Sequence, residues 1–535
     1  MSPVVDGDIA AGELDHSGPD VEREPITDTG GGATGARDAD TVVERWLARL
    51  SEIHPAAWLT FVGAVVFVAV FGRLGVAHHR NFGTWAFDMG IYDQAFWLVS
   101  RGQSWVTVRG IDFWGHHLNL IAFLFAPFYW LGAGPEFLYV VQAMALAAGA
   151  IPTYLLARDR LANPWLGFVF AFVYLMYAPI QWISWANFHP EALVITPMLF
   201  AWWFATQHRW RAVFVSLVLA LATREDTALA VFIMGLVLWW MMRGDDGASR
   251  RDRRMALTVA GLGVVWYVVT MRLVIPAFNR WEEPFYVEYF YGHYGSDTVE
   301  VVSEIATRPD RVVSDATQPD RLRFYRDLLV PWGGLPLGGP LQLLMAGPQM
   351  LASVIGLSPY ARSIRYQYTS IMIAPIVIAA VYGAERLWRF RFSRRLLVPW
   401  MLAFAYVSNI AWSPSPISAN DQVWATPRER HAVLREALDL VPDDVSVTAT
   451  FALVPHLSHR EEIYDWPNPW VPSYWGNNDT YRLPNPREID YVVLDTLHVG
   501  EAQQDLLAQL VGPDGEFEVL LERDGVVVGR RPDIG

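Results

Sequence analysis

Long apolar runs constrain this chain more than any other feature. Residues 56–76 carry no charge before Arg73, and a bilayer core of about 30 Å needs roughly 20 apolar residues per helix. Comparable runs recur as far as residue 412, which predicts an α-helical polytopic membrane protein. Composition agrees: of 535 residues 53% are hydrophobic and 18% charged, too apolar for an ordinary soluble protein.

Charge is unevenly spread. Residues 1–55 hold 4 Arg against 12 acids, residues 418–535 hold 9 against 21, and the stretch between is net +6 within a total of −14. Every basic side chain is Arg, so no Walker lysine exists, and no glycine-rich loop opens a helix after a strand. Both observations argue against a cytosolic ATP-driven pump, and no nucleic-acid partner is expected. With no Cys, disulfides, thiolate metal sites and Cys nucleophiles are excluded.

Residues 1–55 read as a disordered acidic cytoplasmic tail. It ends in a short amphipathic helix marked by Val43, Trp46, Leu47 and Leu50. The first apolar run lies too far in, and is too long, for a cleavable signal peptide. Basic residues concentrate in short cytoplasmic loops, so the clusters Arg158/Arg160, Arg209/Arg211, Arg243 to Arg254 and Arg386 to Arg395 orient the molecule. With the N-terminus also inside, spans are expected near 56–76, 136–157, 165–185, 190–206, 211–224, 226–242, 255–275, 324–338, 341–357, 366–384 and 396–412. That gives about eleven helices in a membrane domain over 56–417, with long outer loops at 77–115 and 276–322. His117 to Leu131 is apolar enough to span, but counting it would invert the later Arg clusters, so it is read as interfacial or re-entrant. Gly333-Gly334 and Gly338-Gly339 let helices turn and pack closely.

Beyond 417 the pattern turns soluble. A helix at 427–440, strands at 445–450, 462–465 and 489–494, a helix at 501–511 and a hairpin turning at Asp524-Gly525 predict a small extracytoplasmic α/β domain over 418–535.

In this topology the unusual polar residues gather at one face. The first outer loop supplies Asp88, Asp93 and the pair His116-His117; later turns supply His189 with Glu191, then Arg224-Glu225-Asp226, then Arg365 and Tyr366. Ionisable groups at membrane depth are costly and are functional candidates by default. A partly desolvated Asp88 is placed to take a proton from a hydroxyl or amine nucleophile. The bland alternative for Asp88 and Asp93 is a pair of solvated loop residues. An Arg at the boundary is placed to neutralise a lipid phosphate, against a plain capped turn for Arg224-Glu225-Asp226. His116, His117, His189 and Glu191 are also ligand types for a divalent metal ion, a reading their spacing leaves open beside interfacial hydrogen bonding.

The chain resembles a prokaryotic family of multispanning membrane proteins catalogued as a domain of unknown function. The resemblance covers roughly 60–470. It rests on Phe87-Asp88-Met89-Gly90-Ile91-Tyr92-Asp93-Gln94, Phe188-His189-Pro190-Glu191, Arg224-Glu225-Asp226, Arg365-Tyr366-Gln367-Tyr368, and Pro455-His456-Leu457-Ser458-His459-Arg460 followed by Tyr464. The layout is also similar to class C glycosyltransferases, polytopic enzymes that use polyprenyl-phosphate-linked sugars. These have an acid in the first outer loop, an acidic turn two spans later and a basic residue on the next. Asp88, Glu191 and Arg224 stand at the matching positions; the His-Pro-Glu order of the acidic turn departs from most members. The resemblance implies Asp88 as base, Glu191 orienting the acceptor or a metal, and Arg224, with Arg365, at the phosphate. It also implies a lipid-linked sugar donor drawn from the bilayer and a glycan, lipid or protein acceptor. A transporter or flippase predicts inverted repeats, of which none is apparent, and a non-catalytic scaffold with an outer binding domain predicts that Asp88 is dispensable.

Overall fold

The computed structural model describes residues 52–279, 285–420, 426–474 and 482–532. The expected acidic tail and almost all of the amphipathic helix lie outside these residues. Four helices among them are long and apolar enough to cross a bilayer: Pro55–Arg80, Pro135–Leu161, Arg250–Phe278 and Gln367–Trp388. A fifth crossing forms if Pro164–Leu175 and Ala178–Trp185, bent by 47° between them, act as one. Their burial differs: 83% of the most apolar 18-residue stretch of Gln367–Trp388 is buried, against 28% of that of Arg250–Phe278.

Of the roughly eleven expected spans, four or five are met among the described residues by helices that long and apolar, and the 22-residue helix Arg391–Trp412 occupies the one expected at 396–412. Trp210–Leu221 and Thr227–Met241 are apolar helices of fewer than 18 residues. The expected span at 190–206 opens as a 3-10 turn, Pro190–Val194, before the helix Ile195–Thr206. No span forms at 324–338. A charged helix, Pro319–Leu329, gives way there to 3-10 turns, because Pro331 and Pro336 lack amide donors and Gly333 and Gly334 take left-handed φ of +61° and +76°. Within His117 to Leu131 the helix is only Ala122–Tyr129, which contains Pro127 and is too short to cross. The loop expected at 276–322 contains the helices Phe285–Tyr291, Thr298–Thr307 and Pro309–Ala316.

Small residues set the tightest crossings. A Cβ on Gly263 would fall 2.6 Å from the amide of Phe232 in the neighbouring helix, and one on Gly338 would fall 2.7 Å from the Cα of Gly383. Between helices without a hydrophobic driving force such close backbone approach is what packing has to work with.

The first loop carries the hairpin β1 (Trp105–Val106) and β2 (Ile111–Asp112). The C-terminal domain follows the sequence expectation closely, with helices Arg430–Asp439 and Gln504–Val511. Strands β3 (Val447–Ala449), β4 (Ile463–Asp465), β5 (Tyr491–Asp495), β6 (Glu518–Arg523) and β7 (Val526–Arg530) form one sheet in the order β4-β3-β5-β7-β6. β3 runs parallel to β4 and β5, and β7 antiparallel to β5 and β6. The domain docks on the first loop: Gln94 donates to Thr107 and to the Arg460 carbonyl, and Thr107 donates to the Ile463 carbonyl.

Candidate functional site

The segment Ala86–Gly90 enters the helix Ile91–Val99 through a kink at Asp88, whose φ of +104° and ψ of −92° lie outside the regions open to most L-residues. Such strain persists only where surroundings over-determine it, and it clusters at functional sites. The Asp88 carboxylate contacts His189 Nε2 at 3.1 Å and accepts from Asn187 at 3.4 Å. His189 Nδ1 faces the Asn187 carbonyl at 3.0 Å, so both ring nitrogens point at acceptors and the imidazolium satisfies both. Burial opposes that charge, but Asp88 outweighs it and raises the His189 pKa above its ordinary value. The Asp88 side chain keeps 33% of its surface exposed while His189 keeps 4%, so Asp88 is the more accessible of the pair.

Across the cavity Arg224 is held between carboxylates. Its Nη1 donates to Glu191 at 2.8 Å and its Nε lies 3.2 Å from Asp226. Glu225 turns the other way, meeting His117 Nδ1 at 2.7 Å and accepting from the Leu118 amide. Arg224, which the sequence places in the turn Arg224-Glu225-Asp226, thus sits between Glu191 and Asp226 in an acid–base cluster. One oxygen each of Glu191 and Asp226 is buried with no hydrogen-bond partner among the described residues.

These groups line one cavity of about 440 Å³. It brings together Asp88, His116, His117, His189, Glu191, Arg224, Glu225 and Asp226, with an apolar wall that includes Met271, Phe290, Val301 and Ile355. A polar floor beneath such a wall suits a ligand with a charged head and an apolar body. Among the described residues no group of three His, Asp or Glu side chains is arranged to hold a metal ion.

Three sequence candidates lie outside this cavity. Asp93 is fully buried but accepts from Tyr129, at 2.8 Å, and Ser458, at 2.6 Å, and meets His459 Nε2 at 3.0 Å. It fastens the C-terminal domain and does not line the cavity. Arg365 is exposed and stacks over Trp182, 4.8 Å from the ring centroid. Tyr366 packs edge-on against Tyr360, leaving Gln367 and Tyr368 to line the cavity. The sequence reading missed Arg109, which sits in the β1–β2 turn, lines the cavity and lies over the Phe87 ring beside Asp88. The available signal was an Arg between Val108 and Gly110 in a short apolar hairpin.

This architecture is that of a helical membrane protein similar in fold to class C glycosyltransferases. The crystal structure of ArnT from Cupriavidus metallidurans bound to undecaprenyl phosphate matches with a TM-score of 0.52 at 12% identity, over 88% of this chain and 97% of that one. The apo state of the same protein matches with a TM-score of 0.50 at 13% identity, over 92% and 98%. The chain belongs to the family described as Predicted membrane protein (DUF2079), whose profile matches residues 78–528, from the end of the first long helix into the last strand of the C-terminal sheet. No curated protein matches the sequence significantly.

Proposed function

We propose that the chain transfers a sugar from a polyprenyl-phosphate-linked donor to an acceptor on the extracytoplasmic side of the membrane. The observation that carries this reading is a strained, partly exposed Asp88 sharing one cavity with Arg109 and Arg224 beneath an apolar wall. The fold likeness to a protein crystallised with undecaprenyl phosphate supports it.

In the reaction, an acceptor hydroxyl or amine forms a bond to the anomeric carbon as the bond from that carbon to the phosphate oxygen breaks. The acceptor's proton passes to Asp88, and polyprenyl phosphate leaves with the bonding pair. Arg109 and Arg224 face the charge that develops on it; such stabilisation is commonly worth about 3 kcal/mol per donor. His189 fixes the Asp88 carboxylate, and Glu191, held by Arg224, orients the acceptor. Donor and acceptor meet outside the cytoplasm, where nucleotide sugars are absent and a lipid carrier is the chemically available leaving group.

The test is complementation. A deletion strain losing an outer-surface glycan regains it with the wild-type chain and not with Asp88→Asn. Full recovery with Asp88→Asn removes Asp88 from the chemistry.

A further inference from the structure

Asp88 holds a backbone conformation that its own chemistry does not favour, so something must impose it. The Ala86 amide, two residues earlier, donates to the Phe451 carbonyl of the C-terminal domain at 2.9 Å. The Phe451 ring lies 6.1 Å from that of Trp85 and 5.8 Å, edge-on, from that of Phe87. Two residues later, a Cβ on Gly90 would come within 3.2 Å of Val454. Both flanks of Asp88 therefore rest on the turn after β3.

The same domain grips the loop further out. Phe82, also left-handed at φ +60°, packs its ring 4.4 Å from His456 and 5.7 Å from His431. Downstream, Asp93 is tied to Ser458 and His459. Phe451 itself does not line the cavity.

We propose that Phe451 and its turn are the positioning element for Asp88, so that the site is complete only while the C-terminal domain is docked. Phe451 touches no substrate. Its ring wedges against Trp85 and Phe87, and its carbonyl fixes the entry to the kink. The consequence for transfer rests on the Asp88 reading above; the positioning does not.

Hydrogen exchange on the purified full chain in detergent tests it, comparing wild type, Phe451→Ala, Phe451→Tyr and Asp88→Asn. Removing the ring frees the turn, so Phe451→Ala is expected to speed exchange of peptides covering 84–92 by at least about tenfold, while peptides from β3 and β5 keep wild-type protection. Phe451→Tyr, which restores a flat ring, returns the wild-type rate. In a binding assay with undecaprenyl phosphate as the probe, Phe451→Ala keeps wild-type affinity while its transfer activity falls.

Unchanged exchange over 84–92 in Phe451→Ala overturns the proposal. So does a rise spread evenly through β3 and β5, which reports an unfolded domain rather than a released kink. If the alanine variant does not fold, Phe451→Leu is judged by the same two outcomes. Full transfer activity in Asp88→Asn alongside accelerated exchange in Phe451→Ala sinks the base assignment and leaves the positioning intact. Inactive Asp88→Asn with unchanged exchange in Phe451→Ala does the reverse.

Discussion

Replacing Asp93 with alanine removes a buried acceptor that helps join the first loop to the C-terminal domain. Asp93 is fully buried, and three donors converge on it: Tyr129 at 2.8 Å, Ser458 at 2.6 Å and His459 at 3.0 Å. A buried donor left without its partner costs about 1–3 kcal/mol, and losing one member of a buried ion pair costs about 3–5 kcal/mol. Tyr129 and Ser458 are almost wholly enclosed and find no water in exchange, whereas His459 is partly exposed and recovers part of its hydration. The expected loss is therefore about 3–5 kcal/mol, concentrated in docking of the domain. Asp93→Asn should lose less, since its amide oxygen still accepts from one hydroxyl. The assay is denaturant unfolding of the full chain in detergent, read by protease cleavage within 447–530. A change below about 1 kcal/mol in Asp93→Ala would refute the latch and return Asp93 to the surface reading.

Other consequences follow from the same contacts. Burial opposes the His459 cation, but Asp93 outweighs it and holds the pKa above the usual 6.5. Its contribution is therefore complete below pH 6.5 and fades as pH rises through the folded value, so the stability gap between wild type and His459→Gln should narrow from pH 6 to pH 9. Asp465 runs the other way: burial pushes its pKa up to about 8, so its ionisation in the unfolded chain opposes folding increasingly from pH 4 to 8. Asp465→Asn should stabilise at pH 7.5, by up to about 4 kcal/mol, with little gain near pH 4; thermal scans at the two pH values check this. Arg224→Met strands Glu191, which is 3% exposed, and should cost about 3–5 kcal/mol, whereas Arg365→Met, at an exposed stacked site, should cost less than about 1 kcal/mol; matched unfolding curves decide. Gly263→Leu would drive a side chain into the backbone of Phe232 and should prevent the helices Thr227–Met241 and Arg250–Phe278 from pairing, seen as loss of monodisperse protein on purification.

The C-terminal strands were legible because short apolar runs such as Ile489 to Leu494 and the Asp524-Gly525 turn are local signals. The membrane character was legible for the same reason. The failure of the crossing expected at 324–338 was not, since Pro331, Pro336 and the paired glycines break a stretch whose hydropathy alone reads as a span. Asp88, Glu191 and Arg224 were singled out because charges in apolar surroundings announce themselves, and the fold brings them to one cavity. Asp93 and Arg365 carry the same signal but serve as a domain fastener and a stacked surface cation, a difference fixed by which way each helix or turn faces. Arg109 was missed because its role depends on a hairpin folding it back over Phe87, and the grip of Phe451 on the Asp88 kink joins residues over 360 positions apart.

The central claim is that the cavity discharges a lipid-linked sugar. The direct measurement is polyprenyl phosphate released from its sugar conjugate, by mass spectrometry, after purified full chain is added to deletion-strain membranes. The expected result is time-dependent release with wild type and none above background with Asp88→Asn. Release that is equal in the two, or absent with both while the conjugate is present, would contradict the account.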